Sequence, residues 1–179
     1  TFGDRLAELV ERKRSQLIVG LDPRLDLLPV ELRGDAHLGL EAAAEAYARF
    51  SCGLIDAVAP EVVGVKPQIA FFEALGAAGI AAFERVCAYA HAAGLLVVVD
   101  AKRGDIGSTA RAYAAAYLEP RAGELRPLAD ALTVNTHLGG GPPHPVPGAF
   151  SAAGVVSLTG SPTEIAPASL PSTLRKMTV

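Results

Sequence analysis

The chain of 179 residues has few cysteines, no long apolar run and no excess of positive charge. Cys52 and Cys87 are far apart on the apolar faces of two predicted helices, which indicates buried thiols rather than a disulfide or a metal site. The net charge of −3 gives no electrostatic basis for binding nucleic acid. No apolar run is long enough to cross a membrane, and residues 1–16 lack the apolar core of a signal peptide. We therefore expect a cytoplasmic protein without nucleic-acid or membrane partners.

Half of the residues are hydrophobic, which is enough for one domain with an ample core. Helical and strand patterns alternate along the chain. The predicted helices cover residues 4–14, 40–58, 71–93 and about 108–118, and the predicted strands cover residues 17–21, 62–65, 95–100 and 131–134. This alternation is typical of an α/β fold with a parallel sheet. The pattern alone does not separate a β/α barrel from a doubly wound sheet.

The stretch Leu95–Thr109, with the sequence LLVVVDAKRGDIGST, carries the main functional signal. Its first five residues are apolar and rich in β-branched side chains, as in a strand buried on both faces. Asp100 and Lys102 follow, and strand alternation places both on one side with Ala101 opposite. Asp105 lies in the next loop. Parallel α/β folds place reactive groups at this end of their strands, so these three ionisable residues are candidate catalytic groups.

Polar residues also follow the other three predicted strands. Asp22 follows LIVGL, Lys66 follows VVGV and Asn135 follows LTV. Because the carboxyl ends of parallel strands meet at one edge of a sheet, we expect these side chains to share a site with Asp100 and Lys102. Charges of alternating sign within a few ångströms of one another would stabilise each other and couple their titrations. The alternative is a surface ion-pair cluster with no chemical role.

The pattern D-x-K-x-x-D followed by I-x-x-T is formed here by Asp100, Lys102, Asp105, Ile106 and Thr109. It resembles the signature of the orotidine 5′-phosphate decarboxylases, and is most similar to their longer-chain branch. The resemblance implies an α/β fold of the (β/α)₈ TIM-barrel family. It also implies conversion of orotidine 5′-phosphate to uridine 5′-phosphate and carbon dioxide, a step of pyrimidine biosynthesis.

The resemblance further implies a role for each candidate residue. The family's charged catalytic tetrad corresponds to Lys66, Asp100, Lys102 and Asp105. Lys102 would protonate C6 of the pyrimidine, Asp22 would bind the ribose, and Thr109 and Asn135 are the other substrate-binding candidates. Asp105 and Thr109 would reach the partner's site across a homodimer interface. For Thr109, capping the helix N-terminus is the alternative. The family uses no metal and no organic cofactor.

The resemblance ends near residue 140. We expect residues 1–140 to form the N-terminal part of the barrel, about four β/α units, and residues 141–179 to form a Pro- and Gly-rich, poorly ordered tail. Within this tail, residues 154–158 are a candidate fifth short strand. The chain shows no counterpart of strands six to eight, nor of the loops that hold phosphate in such barrels. We therefore expect little or no decarboxylase activity from these 179 residues alone.

Two other functions stay open from the sequence. One is a magnesium-dependent sugar-phosphate lyase or synthase of the same superfamily, although those relatives usually carry an acid where this chain has Lys66. The other is a barrel remnant without catalytic activity. The four histidines lack the spacing of metal ligands, so we predict no metal site; they are His37, His91, His137 and His144.

Overall fold

The computed structural model describes residues 1–105, 107–135 and 154–157. The chain divides into two compact units. One unit is formed by Ser15–Asp100, and the other by Thr1–Arg14 together with the described residues from Ala101 onward. None of the helices in the described residues combines the length and the apolar character needed to cross a membrane.

The described residues form six helices and five strands. The helices are α1 (Phe2–Lys13), α2 (Val30–Arg33), α3 (Leu40–Val58), α4 (Ile69–Glu73), α5 (Gly76–Ala92) and α6 (Gly107–Leu118). The strands are β1 (Ile18–Leu21), β2 (Gly64–Pro67), β3 (Leu96–Arg103), β4 (Ala131–Val134) and β5 (Gly154–Ser157). Two single 3₁₀ turns, Leu25–Leu27 and Ala36–Leu38, lie on either side of α2. These turns and α2 were not predicted from the sequence.

In the unit formed by residues 15–100, three strands pair in parallel in the order β1-β2-β3. Val65 in the central strand β2 is paired in register with Val19 on one side and Val97 on the other. Helices α3 and α5 pack against each other, and α4 packs against α5. Phe72 of α4 makes edge-to-face contacts with the rings of Tyr47 and Phe83. The predicted parallel sheet with intervening helices is confirmed in this unit.

The single helix predicted over residues 71–93 is wrong, because α4 ends at Glu73 and α5 begins at Gly76. Gly76 has φ of 60°, a left-handed conformation that favours glycine and turns the chain between the two helices. Gly79 then lies directly against the backbone of Phe72. A Cβ atom on Gly79 would come within 1.9 Å of the Phe72 carbonyl oxygen. The close packing of α4 on α5 therefore depends on the absence of a side chain at Gly79.

We expect Gly79→Ala to lower the free energy of unfolding, although alanine is the better helix former. Helix propensity favours the change by about 1 kcal/mol, whereas overpacking costs about 1–3 kcal/mol. A backbone carbonyl cannot rotate out of the way like a side chain, so we expect a net loss of about 1–2 kcal/mol.

Gly53 in α3 provides the matched control, because its Cβ position has no described atom within 4 Å beyond its chain neighbours and the adjacent backbone of the helix. Gly53→Ala should raise the free energy of unfolding by about 1 kcal/mol, since only helix propensity changes. Urea denaturation of both variants measures the difference. Stabilisation by both substitutions would contradict the steric argument for Gly79.

The second unit contains α1, the last residues of β3, α6, β4 and β5. Strand β4 pairs in parallel with β5 along its whole length. Arg5 of α1 forms an ion pair with the buried Asp130, immediately before β4. Strand β5 lies within the segment 141–179 that was predicted as a tail, so the candidate fifth strand is confirmed for Gly154–Ser157. The predicted disorder of the rest of that segment concerns residues outside the described part of the chain.

The bounds of two strands differ from the sequence prediction by more than one residue. Strand β2 was predicted over residues 62–65 but begins and ends two residues later, and β3 was predicted to end at residue 100 but continues to Arg103. Lys66 and Lys102 therefore lie inside strands rather than after them. The apolar pattern marks burial, whereas strand bounds follow backbone hydrogen bonds, which continue under polar side chains.

Candidate active site

The structure brings together Lys66 and Asp100, two residues of the predicted tetrad. Lys66 lies in β2 and Asp100 in the neighbouring strand β3, and Lys66 Nζ donates a hydrogen bond to Asp100 Oδ2 at 2.7 Å. The side chain of Asp100 is 7% exposed, whereas that of Lys66 is 37% exposed. A carboxylate buried to this extent requires compensation by hydrogen bonds or opposite charge. The Lys66 ammonium provides such compensation while keeping one side open to solvent.

Asp22 lies just beyond β1, on the face of the sheet that also carries the Lys66 side chain. Gly20 precedes Asp22 by two residues and is paired in register with Lys66. Asp22 Oδ2 is 3.7 Å from the position that a Gly20 Cβ would occupy. Because paired residues of parallel strands point to the same face, this carboxylate lies on the Lys66 side of the sheet. Asp22 is exposed to solvent there.

Lys102 is an exposed residue with an unusual backbone. Its φ of 47° lies in the left-handed region, which residues other than glycine rarely adopt. The hydroxyl of buried Thr133 in β4 accepts hydrogen bonds from the backbone N–H groups of Ala101 and Lys102, both at 3.0 Å. The left-handed turn interrupts the regular pleat of β3. Strand alternation therefore no longer supports the predicted placement of Lys102 on the same side as Asp100.

The end of β3 and the loop after it are held against α6 and β4. The Arg103 guanidinium lies 5.7 Å from the centre of the Tyr113 ring and donates to the Ala101 carbonyl oxygen at 3.2 Å. The Arg103 carbonyl oxygen accepts from the Asn135 backbone N–H at 2.7 Å. A Cβ atom on Gly104 would lie 2.4 Å from the Asn135 carbonyl oxygen. This close backbone approach explains the glycine at position 104.

The other predicted site residues, Asp105, Thr109 and Asn135, are all exposed. Asp105 lies in the loop between β3 and α6, and Asn135 directly follows β4. Because α6 begins at Gly107, Thr109 is its third residue rather than its N-cap, so the capping alternative does not apply. All three side chains are thus accessible to a ligand or a partner. Ile106 of the motif lies outside the described residues.

The cysteines and histidines add no further reactive cluster in the described residues. Neither cysteine is in a disulfide bond; Cys87 is buried as predicted, whereas Cys52 is only partly buried. Burial raises the pKa of the Cys52 thiol. Among the described residues, no group of three His, Cys, Asp or Glu side chains is arranged to hold a metal ion. Two histidines lie outside the described part of the chain, His137 and His144.

Thr133 and Arg103 hold the backbone around Lys102, and neither was predicted from the sequence as a functional residue. A threonine in a short strand does not by itself indicate a functional role, because β-branched residues are common in strands. The available signal was that Thr133 is the one polar residue in β4. Strand β4 is the next strand in the chain after β3, which bears the motif. Arg103 gave no such signal, since an arginine beside a strand end is usually solvated.

Comparison with known proteins shows where this arrangement belongs. Residues 15–145 match the model of the Orotidine 5'-phosphate decarboxylase / HUMPS family. The orotidine 5′-phosphate decarboxylase of Rhodopirellula baltica is 48% identical over 141 residues, covering 78% of this chain and 47% of that relative. The enzyme of the same name from Nocardioides sp. is 48% identical over 146 residues, covering 81% of this chain and 49% of that relative.

Solved structures agree with the sequence matches. The Leishmania donovani OMP decarboxylase aligns with a TM-score of 0.58 at 36% identity, covering 78% of this chain and 46% of that protein. The predicted α/β fold of the TIM-barrel family is thereby confirmed. The chain spans about half the length of the curated relatives it matches. Since the family model matches most of the chain, the chain belongs to the Orotidine 5'-phosphate decarboxylase / HUMPS family.

Proposed function

We propose that this chain supplies the reacting-centre residues of an orotidine 5′-phosphate decarboxylase, which forms uridine 5′-phosphate and carbon dioxide in pyrimidine biosynthesis. The observation that carries the proposal is the Lys66–Asp100 ion pair on adjacent parallel strands, with Lys102 two residues further along β3. The relatives from Rhodopirellula baltica and Nocardioides sp. bear the name of this activity. The nucleotide is therefore the proposed small-molecule partner.

The reaction breaks the bond between C6 of the pyrimidine and its carboxylate carbon, and the electron pair stays on C6. No adjacent carbonyl group can accept this pair, so a site without an electron-sink cofactor must stabilise it electrostatically. In the proposed mechanism, the Lys102 ammonium lies beside C6 and stabilises the developing negative charge. Lys102 Nζ then donates a proton to C6 and recovers one from water, so the products are uridine 5′-phosphate and carbon dioxide.

The carboxylates act mainly on the bound substrate. A fixed Asp100 carboxylate near the substrate carboxylate disfavours the ground state more than the transition state, in which that charge is leaving as neutral carbon dioxide. Lys66 holds Asp100 in place through the 2.7 Å hydrogen bond. Binding energy from the substrate phosphate offsets the repulsion. Asp105 completes the proposed tetrad.

The substrate-binding residues complete the proposed site. Asp22 binds the ribose hydroxyl groups through its exposed carboxylate, and Thr109 and Asn135 supply further polar contacts from α6 and the end of β4. Hydroxyl and amide groups of this kind fix the orientation of a ligand.

The Lys66–Asp100 pair also favours a decarboxylase over the magnesium-dependent alternative. A magnesium ion in an enzyme site is usually bound by one or two carboxylates, with water and substrate oxygens as its other ligands. Here an ammonium group already lies against the buried carboxylate, and its positive charge would repel a divalent cation. The same ammonium suits a reaction that requires fixed charges of both signs.

A radiochemical assay tests the proposed function. The substrate is orotidine 5′-phosphate labelled at its carboxyl carbon, and the products measured are labelled carbon dioxide and uridine 5′-phosphate. Because the chain spans about half of its relatives, the assay uses the chain alone and the complemented enzyme, in which it is co-expressed with the C-terminal half of the Rhodopirellula baltica relative. We expect turnover by the complemented enzyme and little or none by the chain alone.

Added EDTA distinguishes the two reactions. Turnover that persists in EDTA supports the decarboxylase, whereas loss of turnover on chelation would favour the magnesium-dependent alternative. A folded, monodisperse complemented enzyme that releases no labelled carbon dioxide would overturn the proposed function and favour the non-catalytic remnant.

We also propose a homodimer in which Asp105 and Thr109 serve the partner's site. Their exposure at the start of α6 and in the loop before it supports this arrangement, because a residue that acts across an interface must reach beyond its own subunit. A cytoplasmic location is part of the same proposal. It is supported by the phosphorylated substrate and by two cysteines that are not joined in a disulfide bond, as is usual in a reducing compartment.

Mixing two inactive variants tests the action of Asp105 across the interface. Asp105→Asn and Lys102→Ala are each expected to be inactive as homodimers of the complemented enzyme. In a heterodimer, one site would combine the native Lys102 of the first subunit with the native Asp105 of the second, so about half of the sites should recover activity. Verified heterodimers without any activity would show that Asp105 serves its own subunit.

A further inference from the structure

A single side-chain oxygen holds the backbone at Lys102. Thr133 Oγ1 accepts hydrogen bonds from two successive backbone N–H groups, those of Ala101 and Lys102, each at 3.0 Å. Thr133 is 1% exposed and Ala101 is 8% exposed, so water has little access to these bonds. The oxygen therefore satisfies two backbone donors where β3 departs from a regular strand.

The two bonds and the left-handed turn depend on each other. In an extended strand, successive N–H groups point to opposite edges, so one oxygen cannot receive both. They converge only where the backbone turns, and successive N–H groups at such turns form a small concave site for an oxygen acceptor. The φ of 47° at Lys102 provides this turn. Without an acceptor at this point, the left-handed conformation would lose two hydrogen bonds that stabilise it.

We propose that Thr133 is the positioning residue for Lys102, whose ammonium is presented from a left-handed backbone held by the Thr133 hydroxyl. The consequence for catalysis rests on the proposed function, in which Lys102 protonates C6. A backbone returned to the extended region would carry the Cβ of Lys102 in a different direction and move Nζ by ångströms. Displacements of about 1 Å in a catalytic group cost on the order of 10²-fold in rate.

The neighbours of Lys102 are held by contacts of their own, and the Thr133 hydroxyl holds Lys102 itself. Arg103 is anchored by its own side chain to the Ala101 carbonyl oxygen and by its carbonyl oxygen to the Asn135 N–H. These contacts fix the residues before and after Lys102. The bond from the Lys102 N–H itself goes to Thr133, so the hydroxyl acts on the residue that carries the ammonium.

Nuclear magnetic resonance on the full chain provides a test that needs no substrate. We expect left-handed Cα and carbonyl chemical shifts at Lys102 and slow hydrogen exchange at the amides of Ala101 and Lys102. Extended-strand shifts at Lys102, or exchange at both amides as fast as in exposed loops, would overturn the proposal. This measurement uses the unaltered chain, so it remains decisive if a variant fails to fold.

Two substitutions separate the hydroxyl from the shape of the side chain. Thr133→Val keeps the size and β-branching of threonine but removes the acceptor, whereas Thr133→Ser keeps the acceptor and removes a methyl group. We expect Thr133→Val to lose both the left-handed shifts and the amide protection, and Thr133→Ser to retain them. Equal behaviour of the two variants would overturn the assignment to the hydroxyl.

The variants Thr133→Val and Thr133→Ser in the complemented enzyme test the catalytic consequence. We expect Thr133→Val to lower kcat by about 10²-fold with little change in KM, because the lysine is displaced while the substrate contacts stay. Thr133→Ser should keep kcat near the unaltered value. Equal kcat in both variants would overturn the positioning role. If the unaltered complemented enzyme does not decarboxylate, the proposed function fails, while the resonance data still decide whether Thr133 sets the backbone of Lys102.

Discussion

Lys102→Ala should lower the turnover of orotidine 5′-phosphate by the complemented enzyme at least ~10³-fold, the scale found when one preorganised electrostatic group is removed. The substitution removes both the charge proposed to lie opposite the carbanion and the proton that C6 receives. KM should change far less, since the ammonium acts mainly in the transition state. The measurement is steady-state release of labelled carbon dioxide.

The choice of alanine matters because of the backbone at Lys102. Alanine has a Cβ and disfavours φ of 47° much as lysine does, so the variant changes the amine without relaxing the turn. Glycine would remove the amine and would also relax the backbone at φ of 47°, so the two effects could not be separated. Lys13→Ala in α1 is the matched control, since it also removes an ammonium but from a residue without a proposed role. Near-normal decarboxylation by Lys102→Ala would refute the mechanism.

The meeting of Lys66 and Asp100 could be predicted from the sequence. Each lies near the carboxyl end of an apolar run, and neighbouring parallel strands bring such ends together. The prediction needed only the order of the elements, not their exact bounds. The prediction is therefore correct even though β2 lies two residues later than predicted and β3 continues to Arg103.

The backbone at Lys102 could not be predicted in the same way. Its left-handed φ arises from a hydrogen bond to Thr133 in another strand, and lysine has no intrinsic preference that signals it. The break between α4 and α5 is similar, because Gly76 and Gly79 stand in a sequence that otherwise favours one continuous helix. In each case a contact between distant residues overrides the local pattern. Apolar periodicity records burial but does not record such contacts.

The Lys66–Asp100 pair should respond unequally to the loss of its two partners. Lys66→Met leaves a buried carboxylate without the ammonium, and breaking a buried pair in this way costs about 3 kcal/mol of unfolding free energy. Asp100→Asn leaves the ammonium of Lys66, whose side chain is 37% exposed and can be hydrated. We expect the second loss to be about 1 kcal/mol, the value of an ordinary hydrogen bond. Urea denaturation measures both.

The prediction depends on which substitution lowers the free energy of unfolding more, and we expect it to be Lys66→Met. If Asp100→Asn destabilises the chain as much as Lys66→Met, the unequal burial of Lys66 and Asp100 does not determine what the loss of each charge costs. A third variant separates stability from chemistry. In the double variant Lys66→Met with Asp100→Leu, apolar side chains of similar size replace both charges, and such replacements of buried pairs are often neutral or stabilising.

We expect this double variant to unfold at a urea concentration close to that of the unaltered chain and to have no measurable decarboxylase activity as complemented enzyme. Folding would then gain nothing from the ion pair that apolar packing could not supply. The presence of a buried carboxylate held at 2.7 Å by a half-exposed ammonium would be explained by the reaction, which needs both charges fixed before the substrate arrives. A double variant that fails to fold would instead assign the pair to the stability of the sheet.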